Sequence, residues 1–133
     1  MMTNDDTHRA FLALLVWREA RGEPIEGKLG VANVVRNRVD SAALPDTWEK
    51  TMSHKWSFSS FTAPGDLNLV LWPDDDDPTW RDSMEVAERV YDMGGCDNTF
   101  GSTLYCNLDV VKPSWLPYVT FMVKIGKHSF FRE

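Results

Sequence analysis

Apolar residues return on a helical period twice near the start of the chain. Over 8–20, His8, Leu12, Leu15 and Glu19 fall on one line with Phe11 and Val16 beside it, which predicts an amphipathic helix. Gly22 ends that pattern, and Pro24 suits the first turn of a second helix running to about Val39. Leu29, Ala32, Val35 and Val39 form its apolar stripe, flanked by Val31 and Val34, and the very short connection makes the two a helical corner or hairpin. Residues 40–78 lose the period and are rich in Ser, Pro, Gly and aromatics. A long loop of that kind is more often functional than idle. A third helix is expected with Thr79 as N-cap and Asp82 three positions on, burying Trp80, Met84, Ala87 and Val90 or Tyr91, and stopped by Gly94 and Gly95. "TLYCN" at 103–107 reads as a short strand, "WLPYVTFMVKIG" as a short helix or turn, and "HSFF" as a second strand. The expected fold class is α+β, predominantly helical with a small β element. The 133 residues form one domain whose first seven are a flexible N-terminus.

Composition narrows the function classes. Hydrophobic residues are 43% and charged residues 26% of the chain, the balance of a globular protein. The net charge is −6 with no basic tract, which argues against nucleic acid as a partner. The N-terminus lacks the basic region and cleavage site of a secretory signal, and Phe11 to Trp17 is too short to span a bilayer. The expectation is therefore synthesis in the cytoplasm, no membrane insertion and a monomer. Cys96 and Cys106 are expected as a free buried pair. His8, His54 and His128 lie far apart without ligand spacing, so no metal and no cofactor are expected, and His128 reads as a structural hydrogen-bonding residue. The acidic run between Pro73 and Pro78 lacks the Gly and closing Glu of a calcium loop and reads as solvated.

Glu19 is the residue that stands out. A carboxylate on the inward stripe of a helix is unfavourable unless paired, hydrogen-bonded or protonated. Burial raises the pKa of such an acid, as a general acid near neutral pH requires. The same residue also ends its helix, where Arg21, Arg36 or Arg38 offers an ion pair instead. Both readings stand on the pattern alone.

The wider motif bears on that choice. "WREARGEPIEGKLGVANVVRNRV" resembles the opening signature of the SleB/CwlJ-type cell-wall hydrolases, a family of spore cortex-lytic enzymes that also occurs in phage lysins. The resemblance continues in order through "KWSFSSF", "DNTFGSTLYCN", "PSW" and "IGKHSFFR", so it covers roughly residues 10–132. It implies a lysozyme-like fold and cleavage of the β-1,4 bond between N-acetylmuramic acid and N-acetylglucosamine in peptidoglycan. It also implies a lytic transglycosylase that leaves a 1,6-anhydromuramic end. The catalytic Glu of the family is the first of "EARGE", which corresponds to Glu19. One such residue suffices if it first protonates the leaving oxygen and then takes the proton of the sugar's C6 hydroxyl, whereas hydrolysis normally needs two carboxylates.

Around Glu19 the expected substrate-binding residues are Tyr105, Ser59, Phe58, Ser57, Thr103, Asn107 and Glu23. Tyr105 and Asn107 resemble the Tyr-Asn pair lining the glycan cleft of lysozyme-like transglycosylases. Thr103 shares the strand face of Tyr105. Ser57 and Ser59 suit an N-acetyl group, and Phe58 with Trp56 a sugar face, unless these aromatics are core. Glu23 is read first as an electrostatic partner of the next helix's N-terminus and second as an assisting carboxylate. Arg21 and Arg38 read as braces of the corner, and Asp97 as a turn former. Two alternatives stay open: a muramidase pairing Glu19 with Glu23, Asp66 or Asp97, and a catalytically silent peptidoglycan-binding or virion module. The expected setting is phage lysis of the cell wall, with a spore-associated protein as runner-up.

Overall fold

The computed structural model describes residues 3–41, 47–53, 71–94 and 96–133. Helix α1 spans Asn4–Ala20, α2 Ile25–Asp40, α3 Trp48–Ser53 and α4 Pro78–Asp92. A three-stranded antiparallel sheet follows, with β1 at Leu104–Cys106, β2 at Thr120–Ile125 and β3 at His128–Arg132. A single 3-10 turn, Leu116–Tyr118, precedes β2. The strand order is β1-β3-β2, so the last strand in the chain lies at the centre.

Helix α1 begins four residues before the predicted start. Thr3 and Asp6 close a reciprocal capping box at its N-terminus, so residues 4–7, expected in a flexible N-terminus, form its first turn. Leu12, Leu15 and Val16 are fully buried against α2 and α4, together with Val31, Ala32, Val35, Val86, Ala87 and Val90. This is one apolar core built from three helical stripes, as the period requires. The N-cap of helix α4 lies two residues before the expected Thr79. Asp77 is the N-cap and accepts from the Thr79 backbone N–H, because Pro78 has no N–H to cap and fits the first helical position. Its inward residues are Ser83, Val86, Ala87 and Val90, whereas Met84, expected inside, is exposed. Within the expected loop, α3 is a short helix that buries Thr51 and Met52. Residues 54–70 lie outside the description. No helix among the described residues is long and apolar enough to cross a membrane.

The sheet packs its inner face onto α2 through Phe130, which is fully buried. A Cβ on Gly30 would stand 2.6 Å from the Phe130 ring, so the absence of a side chain there sets the approach of strand to helix. Asp97 fixes the loop into β1, accepting from the Thr99 and Gly101 backbone N–H groups, the Thr99 hydroxyl and the Asn37 amide. These donors hold its carboxyl below the ordinary carboxylate range despite burial. The turn-forming role expected of Asp97 matches this geometry. Both cysteines are free, but only Cys106 is buried; Cys96 is exposed, which corrects the expected buried pair.

Candidate functional site

The last turn of α1 and the inner face of the sheet meet at a carboxylate. Glu19 is half-buried there, one residue before the helix end. Tyr105, from β1, donates its hydroxyl to Glu19 Oε1 at 2.6 Å. Two residues 86 positions apart are thereby joined in one short hydrogen bond. Burial, followed by the Glu19 charge and this hydrogen bond, pushes the Tyr105 hydroxyl well above its ordinary value, so it stays a donor at working pH.

Antiparallel register explains which neighbours join them. Tyr105 pairs with Phe130, and opposed residues point to one face, as do residues two apart along a strand. Tyr105, Phe130, His128 and Thr103 therefore share the inner face. The ring centroids of Tyr105 and His128 are 5.0 Å apart, and those of Tyr105 and Phe130 5.9 Å. Arg38, from α2, donates through Nε to the Thr103 carbonyl at 2.6 Å, tying helix to strand. Burial pushes its guanidinium down from the ordinary value, against the influence of Tyr105, Glu133 and Glu19, which places this cation within electrostatic reach of the acid. Arg21 instead lies over the Trp17 ring at 4.7 Å.

Glu23 makes contacts that its place before α2 does not foretell. It lies at the corner between α1 and α2, yet α2 has no side-chain cap. Its carboxylate is 8% exposed and accepts from the Lys127 backbone N–H at 2.8 Å, in the turn between β2 and β3. Its own carbonyl accepts from the buried Lys28 ammonium. His128 was expected to be a hydrogen-bonding residue, but its buried Nδ1 has no hydrogen-bond partner and stands 3.6 Å from Glu23 Oε1. The Thr103 hydroxyl is likewise buried without a partner. Asn107 turns away into its own loop, where its side chain accepts from the Asp109 N–H. Ser57, Phe58 and Ser59, with Trp56, His54 and Asp66, lie outside the described residues. The sequence signal for His128 was its place at the start of β3, two residues before the buried Phe130; nothing local points to Glu23 as its neighbour.

Comparison with known proteins follows the same lines. A sequence model described as Cell Wall Hydrolase matches residues 22–131. The spore cortex-lytic enzyme of Oceanobacillus iheyensis is 34% identical over 120 residues, covering 90% of this chain and 39% of that protein. The spore cortex-lytic enzyme of Bacillus subtilis is 30% identical over 119 residues, covering 90% of this chain and 35% of that protein. The chain thus spans well under half the length of these curated relatives. Among solved structures, the catalytic domain of the germination-specific lytic transglycosylase SleB from Bacillus anthracis superposes with a TM-score of 0.74 at 28% identity, covering 98% of this chain and 97% of that one. The catalytic domain of the Bacillus cereus SleB protein gives 0.73 at 26% identity, covering 99% and 93%. With a helical corner, a small sheet and an acid between them, on a fold shared with the SleB catalytic domain, this chain belongs to the Cell Wall Hydrolase family of enzymes.

Proposed function

We propose that this protein is a peptidoglycan lytic transglycosylase that cleaves the β-1,4 bond between N-acetylmuramic acid and N-acetylglucosamine with Glu19 as its single acid and base. The observation that carries the reading is the Tyr105–Glu19 hydrogen bond at the half-buried end of α1. A tyrosine donating to Oε1 directs the proton of the neutral acid to Oε2, from which it passes to the leaving glycosidic oxygen. The carboxylate left behind takes the proton of the C6 hydroxyl, whose oxygen closes onto C1. The Arg38 cation, tied to β1, steadies that carboxylate as it forms.

Among the described residues, the neighbouring acids support one carboxylate rather than two. Glu23 is pinned by the Lys127 N–H, and Asp97 is saturated by four donors from its own loop and α2. Neither is poised to activate a water as a hydrolytic mechanism requires.

Mass spectrometry of digested peptidoglycan tests the reading. Anhydro-muropeptides that resist borohydride reduction are expected, and products with reducing ends would overturn it in favour of a muramidase. Running the digest on spore cortex and on vegetative walls separates a spore-associated role, which the curated relatives favour, from a phage endolysin. Tyr105→Phe should lower kcat about 10- to 100-fold, the worth of one hydrogen bond to a charged group, with KM little changed. Steady-state release of soluble muropeptides measures that split. An unchanged kcat would remove Tyr105 from the acid's environment.

A further inference from the structure

We propose that Glu23 and His128 form a positioning pair for the acid: a neutral imidazole carries its proton on Nδ1 toward Glu23 and, through its ring, holds Tyr105 against Glu19. The inference rests on the reading of Glu19 as general acid.

Glu23 is immobilised. The Lys127 N–H grips Oε1, and the turn approaches so closely that a Cβ on Gly126, at φ 59°, would stand 2.8 Å from that oxygen. His128 Nδ1 faces the same oxygen at 3.6 Å, beyond hydrogen-bond length but within reach of a small adjustment. Buried polar atoms are nearly always satisfied, and a lone pair aimed at a carboxylate would be repelled. The proton therefore belongs on Nδ1, which leaves the lone pair on Nε2. The imidazole is 13% exposed and is tilted 58° to the Tyr105 ring, with the Phe130 ring edge-on at 6.3 Å. Tyr105 consequently cannot swing toward β3 without displacing His128. Its hydroxyl is left on Glu19.

Charge gives the pair a measurable signature. The titratable groups facing His128 are Glu23 from the corner, Glu19 from α1 and Tyr105 from β1, with the Arg38 cation of α2 beside Glu19 and Tyr105. Burial pushes His128 below its ordinary value of 6.5, against the pull of Glu23 and Glu19. The stability tied to the neutral ring is therefore complete above 6.5 and is lost as pH falls through the lowered folded value. Protonation there replaces the neutral ring packed against Tyr105 with a cation, so the support that holds the tyrosine is lost. The expected consequence is a fall in activity on the acid side as the ring titrates.

Nitrogen-15 imidazole NMR of the protein, with His128 assigned by its absence in His128→Asn, reads the tautomer. The pH dependence of muropeptide release by the wild type and Glu23→Gln reads the coupling. The expected results are an Nδ1–H tautomer and, in Glu23→Gln, an imidazole titration and an acid limb of kcat that move together by about one pH unit to lower pH. His128→Asn is expected to lose roughly tenfold in kcat with KM nearly unchanged. An Nε2–H tautomer, or an acid limb that stays in place while the imidazole titration moves, would overturn the pairing and leave the Glu19 reading intact. Absence of lytic products with the wild type would refute that reading instead, while the wild-type spectrum alone still decides the tautomer.

Discussion

Glu19→Gln is expected to lose at least about 1,000-fold in muropeptide release while melting within about 2 °C of the wild type. The two halves of this expectation come from different atoms. Glutamine keeps a carbonyl oxygen where Tyr105 donates, so the 2.6 Å contact and the packing behind it survive. It has no proton to give the glycosidic oxygen and cannot take one from the C6 hydroxyl. Both proton transfers assigned to the residue fail together, which is why the loss should exceed that of Tyr105→Phe. Mass spectrometric quantification of soluble muropeptides, beside a circular dichroism melt, separates chemistry from folding. Residual activity within tenfold of the wild type would mean another group supplies the proton.

Phe130→Ala should have the largest effect on stability, roughly 3–5 kcal/mol, corresponding to a fall in Tm on the order of 10–15 °C. Phe130 is fully buried at the only place where the sheet's central strand meets the bare backbone of Gly30. Alanine would leave a cavity that neither element can close, because β3 is held on both sides by ladder hydrogen bonds to β1 and β2. The ring also backs Tyr105 and His128, so the activity remaining at temperatures where the variant is folded should fall as well. A thermal melt measures the first effect and the digest the second. A shift below 4 °C would show that the strand seats on α2 without this ring.

What the sequence made legible follows from how local each signal is. The stripes of α1 and α2 repeat over several turns and are readable from pattern alone, whereas Glu19 and Tyr105 were singled out by the resemblance of their motifs to those of the family. Caps were harder. Asp77, Pro78 and Thr79 are three adjacent candidates, and only the rule that Pro favours the first helical position selects Asp77. Helix α3 has too few residues to show a period. Strand β2 carries a bulge between Phe121 and Val123 that breaks its alternation, which is why "TFMVKI" read as helix or turn. The setting of Glu23 was not readable at all, since its partner Lys127 is 104 positions away. Short-range logic assigned its carboxylate to the helix it precedes.

The placement of β3 also has a temporal consequence. Glu19 precedes every strand of the sheet in the chain, and α1, α2 and α4 can pack before any of those strands has been synthesised. Tyr105 belongs to a strand whose ladder partner among the described residues is β3, and β3 comes after every other element of the sheet. A chain interrupted before β3 holds an acid with nothing to aim it. The Tyr105–Glu19 contact thus arrives in one step, with the docking of the final strand, and this long-range closure is a slow class of folding event.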